Sequence, residues 1–286
     1  MTRPKVESFF DQDTSTVTYL VSDPETNKAA VIDPVLDYNP NAGRTAGDSL
    51  QPVIEHVKAQ GLDVVWILDT HVHADHMTGA ARARAILNAP TGIGEHVKTV
   101  QEVFKKIFNL PDLTPDGSQF DRLFADGDTF EIGTLKAQVM HTPGHTPACL
   151  TYVIGDAAFV GDTLFMPDFG TARCDFPGGD ARTLFRSIKR ILSLPDDTRI
   201  FVGHDYAPGG REHAWETTVA DEKASNKHVH EGVSEDDYVQ WREERDSTLD
   251  LPRLILPSLQ VNLRNGQFPP AENNGVSYIK IPLNQL

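Results

Sequence analysis

The seven residues from Thr70 to His76 constrain the fold more than any other part of the sequence. They read Thr-His-Val-His-Ala-Asp-His and follow an apolar run, Val64–Leu68, that is typical of a buried strand. The alternate spacing lets His71 and His73 point the same way, while Asp75 and the last histidine reach the far side of a bound ion. The following residues, 77–87, have the pattern of a helix start. This order of strand, ligand loop and helix favours a metal-binding loop over a solvated loop with incidental histidines.

Three later loops carry the same kinds of side chain at the ends of predicted strands. They contain His145 within Pro-Gly-His, Asp162 after a glycine, and His204 within Gly-His-Asp. Gly144 allows the tight turn that presents the next side chain into a cleft. Together with the first motif, these loops predict one shared metal site. We interpret His141 differently, as a structural histidine whose hydrogen bonds are satisfied.

Length and charge exclude several classes of function. The chain has 286 residues, which is enough for one large domain or a domain with an extension. Its net charge of −15 argues against binding to nucleic acid or to an anionic membrane. It contains no apolar run long enough to cross a membrane, and Met1–Lys5 lacks the apolar core of a signal peptide. We therefore expect a cytoplasmic protein.

Cysteine usage agrees with this location. The chain has only Cys149 and Cys174, so a disulfide framework is not expected and both side chains are predicted to be thiols. Cys149 lies in an apolar run and is most simply a small core residue.

Elsewhere the sequence pattern predicts short strands joined by turns, with helices between them. Strands are predicted at residues 6–10, 17–21, 29–32, 129–132, 135–140, 150–154, 158–160 and 199–202. Helices are predicted at about 50–57 and 96–108, after an N-cap at Asp180, over 211–227, and after a capping box that begins at Ser234. Each half of the chain contains strands followed by helices. This suits an α/β protein built as a two-sheet sandwich flanked by helices.

The C-terminal part has a different character. Residues 251–286 contain several prolines and few helical signals, which indicates an extension. We divide the chain into a catalytic domain at residues 1–222 and a C-terminal extension at residues 223–286 that packs on it. Three histidines of the polar segments, His213, His228 and His230, are interpreted as solvated.

The metal-binding motifs, taken in order, resemble those of the metallo-β-lactamase superfamily. The resemblance is carried by residues 70–76, His145, Asp162 and His204, and it covers roughly Val6 to Tyr206. It implies an αββα sandwich, in which helices flank two mixed β-sheets and the metal lies at one edge of both sheets.

Two branches of that superfamily share these features and differ in chemistry. Glyoxalase II hydrolyses S-acylglutathione thioesters with two metals, whereas persulfide dioxygenases of the ETHE type use one iron. The chain is more similar to the second branch at Ile32–Val35, Pro143–Pro147, Arg173–Phe176 and His204–Tyr206. It departs from that branch at Cys174, where threonine is common. Its long tail resembles bacterial members, some of which are named β-lactamase-like hydrolases.

The resemblance implies one Fe(II) per chain, held by His71, His145 and Asp162. Two imidazoles and one carboxylate leave positions open for O2 and a substrate. The implied enzyme is a non-haem iron dioxygenase that oxidises glutathione persulfide to sulfite and glutathione.

The remaining candidate ligands are present in both branches, but they have a different role in each. In the dioxygenase they support the iron ligands, and in the hydrolase they complete a second metal site whose hydroxide attacks a thioester carbonyl. These residues are His73, Asp75, His76 and His204. Because every ligand position of both mechanisms is present, the ligands alone do not choose between them.

Substrate recognition rests on fewer residues. Arg173 is expected to pair with a glutathione carboxylate, although it could instead stabilise its own loop. Tyr206 is expected to donate its hydroxyl to the peptide portion. Cys174 has no evident base beside it, so we interpret it as a neighbour of the site and not as a nucleophile.

The sequence leaves two further points open. We expect a homo-oligomer, with a dimer as the simplest form. A third possible role, from another class, is a catalytically silent metal-binding protein that senses sulfur species or assembles with a partner.

Overall fold

The computed structural model describes residues 3–285, and two six-stranded sheets form its centre. The strands of the first sheet are neighbours in chain order: β1 (Lys5–Asp11), β2 (Thr16–Ser22), β3 (Lys28–Ile32), β4 (Asp63–Leu68), β5 (Thr91–Gly94) and β6 (Arg122–Phe124). The strands of the second sheet also follow chain order: β7 (Thr129–Ile132), β8 (Leu135–His141), β9 (Leu150–Ile154), β10 (Ala157–Phe159), β11 (Arg199–Phe201) and β12 (Glu216–Thr218). Two short ribbons pair Val35–Leu36 with Met77–Thr78, and Tyr38–Asn39 with Arg44–Thr45.

Both sheets are mixed, as predicted. In the first sheet β1, β2 and β3 form an antiparallel meander, while β4, β5 and β6 continue it in parallel pairings. In the second sheet only β10 and β11 pair in parallel. Parallel neighbours require crossover connections, and helices supply them on the outer faces.

The helices cover the outer faces of the two sheets. Their bounds are α1 (Gln51–Gln60), α2 (Ala80–Leu87), α3 (Val97–Ile107), α4 (Ala181–Ile191), α5 (Val219–Ser225), α6 (Glu235–Asp246) and α7 (Ile255–Asn262). Helices α1 and α2 pack their apolar side chains on the first sheet, and α4 and α6 pack on the second. The order of layers is therefore helix, sheet, sheet, helix, which confirms the predicted αββα sandwich.

The core between the sheets is built from large aromatic side chains. Tyr19, Tyr152 and Phe159 are at most 2% exposed and pack with aliphatic residues of both inner faces. The buried hydroxyl of Tyr19 donates to the carbonyl of Val202 at 2.6 Å, and that of Tyr152 donates to the carbonyl of Asp69 at 3.0 Å. Both acceptors lie at the ends of strands. These bonds thus satisfy buried polar groups and tie the core to the loops beyond.

Most predicted elements are confirmed with small shifts at their ends. Helix α1 ends at Gly61, which takes a left-handed conformation with φ of 62°. The Asp180 and Ser234 side chains accept from backbone N–H groups in the first turns of α4 and α6, as expected for N-caps. His141 donates from Nε2 to the carbonyl of Pro147 at 2.8 Å, which confirms its structural role. Both cysteines are free and buried.

Two strands of the first sheet escaped the sequence analysis. Strand β5 contains Gly92 and Gly94, which weaken a strand signal. In the fold there is no room for a side chain at either position. A Cβ atom on Gly92 would lie 2.5 Å from the Phe124 ring, and one on Gly94 would lie 2.8 Å from the carbonyl oxygen of Ala148.

The predicted helix over residues 211–227 is largely wrong. Its first residues are irregular, and Glu216–Thr218 forms β12, which pairs antiparallel with β11. Only α5, Val219–Ser225, is helical. The signal that separates the two elements is Thr218, whose hydroxyl accepts from the N–H of Asp221 and so caps the helix.

The tail also contains a helix that was not predicted. Helix α7 is almost completely buried, although Pro257 stands in its first turn. Proline is tolerated there because the first N–H groups of a helix have no partner within it. The proposed boundary at residue 222 falls inside α5, and the division into domain and extension stays a prediction.

One of the three histidines interpreted as solvated is not. His228 stacks on Trp241 with 3.6 Å between ring centroids, and its Nδ1 accepts from the N–H of Thr171. Burial lowers its pKa to about 3, so the ring is neutral. His213 and His230 are exposed, and His213 contacts the Asp205 carboxylate.

Among the helices of residues 3–285, none is long and apolar enough to cross a bilayer.

Candidate metal centre and substrate cleft

Four loops converge at one edge of the two sheets. The loop after β4 carries residues 71–76, and those after β8, β10 and β11 carry His145, Asp162 and His204. Backbone hydrogen bonds join the loops: Gly203 N donates to Gly161 O at 3.2 Å, and Leu150 N donates to Thr70 O at 2.9 Å. The fold therefore brings together all the metal-ligand candidates that the sequence analysis named.

The first group of ligand atoms belongs to His71, His145 and Asp162. These three side chains are buried, and one ligand atom from each lies within 4.8 Å of the others. The Nε2 atoms of the two histidines lie 3.9 and 3.8 Å from Asp162 Oδ2. His73 is not a member of this group. Two imidazoles and one carboxylate thus form a three-residue face.

A buried carboxylate behind the site, Asp33, fixes the orientation of two imidazoles. It accepts from the N–H and the hydroxyl of Thr70, at 2.7 and 2.8 Å, and from His73 Nε2 at 3.0 Å. The Thr70 hydroxyl donates its only proton to Asp33, so it must act as the acceptor in its hydrogen bond with His71 Nδ1, at 3.0 Å. The lone pairs of His71 Nε2 and His73 Nδ1 are therefore free to bind an ion.

Asp33 adopts a conformation that few side chains tolerate. Its φ is 50°, in the left-handed region, where aspartate is among the better tolerated residues. In the sequence, Asp33 was noted only within the similar segment Ile32–Val35 and was given no role. One signal in the sequence pointed to a role for Asp33. It is a carboxylate that stands between a buried strand and Pro34, and that strand is the neighbour in the sheet of the strand before the ligand loop.

A second group of ligand atoms lies beside the first. Asp75, Asp162 and His204 also bring one ligand atom each within 4.8 Å of the others. His204 Nε2 lies 3.3 Å from Asp75 Oδ2 and 3.2 Å from Asp162 Oδ1, and His76 Nδ1 lies 3.3 Å from Asp75 Oδ2. Asp162 belongs to both groups, so it can bridge two positions.

The electrostatics around His204 favour positive charge. Burial lowers the pKa of His204, but the carboxylates of Asp162 and Asp75 outweigh it and raise the pKa to about 10. Burial likewise raises the pKa of Asp162, yet His204, His71 and His145 hold it well below its usual range. A cation placed here would take over the role of these protons.

The residues fit a bound metal ion. Within residues 3–285, His71 Nε2, His73 Nδ1 and His76 Nε2 are buried and have no hydrogen-bond partner. Buried polar atoms are rarely left unpaired, and ring nitrogens held with their lone pairs free are the atoms that bind metals. His145 completes the pattern, because its Nδ1 donates to the Arg173 carbonyl and leaves Nε2 for the ion.

A cleft with a volume of about 270 Å³ leads to His145 and Asp162. Its walls come from the loops of the sheet edge and from α6. Five aromatic side chains line them: Phe165, Phe169, Phe176, Tyr206 and Trp241. The C-terminal part of the chain therefore forms one side of the cleft.

Arg173 lines this cleft, but most of its donors are occupied. Its Nε and one terminal nitrogen donate to Asp175 at 2.6 and 2.7 Å, and the other terminal nitrogen donates to the carbonyl of Asp250 at 2.6 Å. One N–H on each terminal nitrogen stays free for a ligand. Tyr206 also lines the cleft and is 45% exposed, with its ring 4.7 Å from that of Phe169.

The sequence analysis missed three other cations of the cleft. Arg242 is buried and paired with Asp246. Lys227 and Arg245 form no ion pair within the described part of the chain, and Lys227 Nζ lies 5.5 Å from the centre of the Phe169 ring. Both side chains are exposed to solvent in the cleft. Residues 223–245 contain many charged side chains, so the sequence alone did not distinguish these three cations from solvated ones.

Cys174 adjoins the cleft, and the carboxylate of Asp246 lies beside its thiol. Its N–H and its thiol both point to Asp246 Oδ2, at 2.8 and 3.4 Å. Burial and this carboxylate raise the pKa of the thiol far above its usual range. A thiol held neutral in this way is not a nucleophile.

Comparisons with known proteins agree with this geometry. A profile of the metallo-beta-lactamase superfamily matches residues 11–204. The crystal structure of ETHE1 from Myxococcus xanthus superposes with a TM-score of 0.73 and 31% sequence identity, over 92% of this chain and 100% of that one. The mitochondrial persulfide dioxygenase ETHE1 of Bos taurus is 31% identical over 93% of this chain and 91% of its own length.

Other curated relatives are more similar in sequence. A probable metallo-hydrolase of Burkholderia pseudomallei (strain 1710b) is 54% identical, over 98% of this chain and 99% of its own length. Glyoxylase B2 of Dictyostelium discoideum is 50% identical, over 99% and 98% respectively. The chain spans 65% of the length of a longer relative, the β-lactamase hydrolase-like protein of Xylella fastidiosa (strain Temecula1).

Proposed function

The chain belongs to the metallo-β-lactamase superfamily, and on that basis we propose that it is a persulfide dioxygenase. It would hold one Fe(II) per chain and use O2 to oxidise glutathione persulfide to sulfite and glutathione. The observation that carries this proposal is the face formed by His71, His145 and Asp162 at the end of the cleft. Two imidazoles and one carboxylate with open positions are the ligand set of non-haem Fe(II) oxygenases. The similarity to ETHE1 proteins supports the same assignment.

The overall reaction balances with O2 and water as the other reactants. The terminal sulfur of the persulfide gives up four electrons, which one O2 accepts. Two oxygen atoms of sulfite come from O2 and the third comes from water, while the inner sulfur leaves as the glutathione thiol. When bound, Fe(II) supplies the one-electron chemistry that O2 needs to react with a closed-shell sulfur compound.

The protein itself would bind and orient the substrate. The aromatic walls of the cleft exclude bulk water around the reacting sulfur. The two unpaired cations, Lys227 and Arg245, and the free N–H groups of Arg173 can pair with the two carboxylates of glutathione. The hydroxyl of Tyr206 can donate to the peptide portion. Asp33, through Thr70, keeps Nε2 of His71 facing the ion, and it also holds the neighbouring ring of His73.

A dinuclear hydrolase of S-acylglutathione thioesters is the second candidate. The observation that favours it is the group formed by Asp75, Asp162 and His204, which could hold a second ion. Relatives at 50–54% identity carry the names glyoxylase and metallo-hydrolase. In this function Asp162 would bridge two metals.

Metal analysis of the purified protein and of a His204→Ala variant separates the two functions. The dioxygenase predicts about one iron per chain in the unaltered protein and at most one in the variant, because His204 contacts the ligand Asp162 but lies outside the iron-binding face. The hydrolase predicts two metals in the unaltered protein and about one in the variant. Assays with glutathione persulfide and with S-lactoylglutathione on the same samples link metal content to reaction. The expected homo-oligomer and cytoplasmic location stay predictions.

A further inference from the structure

A buried asparagine from the C-terminal part of the chain holds the backbone of the ligand loop. Asn262 ends α7 and is 2% exposed. Its Nδ2 donates to the carbonyl oxygens of His73 and His76, both at 2.8 Å, and its Oδ1 accepts from the N–H of Thr78 at 2.8 Å. One side chain therefore uses both donors and its acceptor on a single stretch of six residues.

These bonds have no substitutes nearby. Among residues 3–285, Asn262 is the only donor to the carbonyl oxygens of His73 and His76. Residues 71–76 form neither helix nor strand, so no regular hydrogen-bond ladder fixes them. Buried carbonyl groups without a donor are unfavourable, and a loop that loses its donor shifts to find others.

A second path leads from the same asparagine to an imidazole. Thr78, whose N–H donates to Asn262, donates its hydroxyl to Asp69 at 2.9 Å. An oxygen of Asp69 lies 3.9 Å from His73 Nε2. Helix α7 is thus connected by hydrogen bonds to the backbone of the ligand loop. Through Thr78 it is also connected to the carboxylate of Asp69, which lies beside the His73 ring.

We propose that Asn262 is a positioning residue for the metal centre, which holds residues 71–76 in the geometry that binds the ion. The C-terminal helix α7 is then a part of the metal site, although it lies beyond the matched residues 11–204. The inference rests on the proposed metal centre and does not depend on which reaction the centre performs.

The same helix offers a matched control. Gln260 is fully buried, its Nε2 donates to the carbonyl oxygens of Leu256 and Lys280, both at 2.8 Å, and its Oε1 accepts from Lys280 N at 2.9 Å. It makes the same pattern of bonds as Asn262, but to its own helix and the tail. Loss of either amide removes equivalent bonds, and only Asn262 contacts the ligand loop.

The test compares Asn262→Ala with Gln260→Ala by titration of the metal-free proteins with Co(II). We expect both variants to lose thermal stability. Only Asn262→Ala should raise the Co(II) dissociation constant, by about 10- to 100-fold as for other groups that orient metal ligands, and change the visible absorption spectrum of the bound ion. Equal Co(II) dissociation constants and equal spectra in the two variants would overturn the proposal.

If Asn262→Ala does not fold, a second variant, Asn262→Asp, tests the same role. Asn262→Asp keeps the side-chain volume and the acceptor for Thr78, and loses both donors to the loop. Its added negative charge attracts cations, so a raised Co(II) dissociation constant would reflect geometry alone, and an unchanged one would reject the role. If the protein binds Co(II) tightly but consumes no O2 when loaded with iron, the proposed function fails and this inference stands.

Discussion

His145 donates from Nδ1 to the main-chain oxygen of Arg173 at 2.7 Å, and this bond joins a candidate metal ligand to the wall of the cleft. A carbonyl oxygen only accepts, so the proton of His145 lies on Nδ1 and the lone pair of Nε2 faces Asp162. The Arg173 side chain is in turn fixed by Asp175 and by the carbonyl of Asp250. The loop that we propose binds the substrate therefore also orients a candidate metal ligand.

Replacement of Arg173 by alanine should weaken use of glutathione persulfide more than it lowers metal content. The side chain would no longer offer its free N–H groups to a substrate carboxylate, whereas the carbonyl that orients His145 remains. We expect KM to rise about tenfold or more, as for loss of a charge-assisted hydrogen bond. Steady-state kinetics and metal analysis of Arg173→Ala check this. Unchanged kinetics would remove Arg173 from the substrate site.

The three residues of the proposed iron-binding face should each be indispensable. Alanine at His71, His145 or Asp162 removes one of three protein ligands, so we expect loss of bound iron and of O2 uptake. His96→Ala is the matched control, because this histidine is exposed and lies against His141 outside the cluster. Full activity in any of the three ligand variants would refute the assignment of that ligand.

The two unpaired cations of the cleft should act on substrate binding. Lys227→Ala and Arg245→Ala each remove a positive charge that no carboxylate of the described chain neutralises. We expect a rise in KM of about 3- to 10-fold with kcat and metal content nearly unchanged, and a weaker effect at high salt. Lys223→Ala is the control, since Lys223 already pairs with Asp196. Equal KM values in all three variants would contradict an anionic substrate in this cleft.

The pH dependence of stability should report a buried glutamate in α5. Burial raises the pKa of Glu222 from 4.5 to about 8. Between these values the unfolded chain releases the proton and the folded chain keeps it, so this group lowers the free energy of unfolding as pH rises. Glu222→Gln removes this dependence. Its stability relative to the unaltered protein should increase from pH 5.5 to 8, by up to about 1.4 kcal/mol per pH unit.

Urea unfolding at a series of pH values measures this effect. Glu243→Gln, an exposed glutamate of α6, serves as the control and should show no such trend. A stability difference between Glu222→Gln and the unaltered protein that stays constant from pH 5.5 to 8 would show that Glu222 titrates normally.

The position of the candidate site was predictable because its side chains follow strands in short, chemically dense loops. His71, His145, Asp162 and His204 each stand a few residues beyond a strand, and strand ends meet at the edges of sheets. The glycines beside them marked the turns. Local sequence therefore carried both the element boundaries and the ligand chemistry.

The residues that were missed act over long separations in sequence. Asp33 orients His73, 40 residues away, and Asn262 bonds to His73 from 189 residues away. Helix α7 and strand β5 were missed because proline has a low helix propensity and glycine a low strand propensity. Burial stabilises both elements, and only the tertiary structure reveals it. Arg242 and Arg245 lie on the polar helix α6, whose pattern does not tell which face meets a ligand, and Lys227 lies in the loop before it.

Oxygen consumption by the iron-loaded protein with glutathione persulfide tests the central claim most directly. The account predicts rapid O2 uptake that depends on the persulfide, with one sulfite formed for each O2 consumed. No O2 uptake by protein that carries a full complement of iron, together with rapid hydrolysis of S-lactoylglutathione, would contradict it.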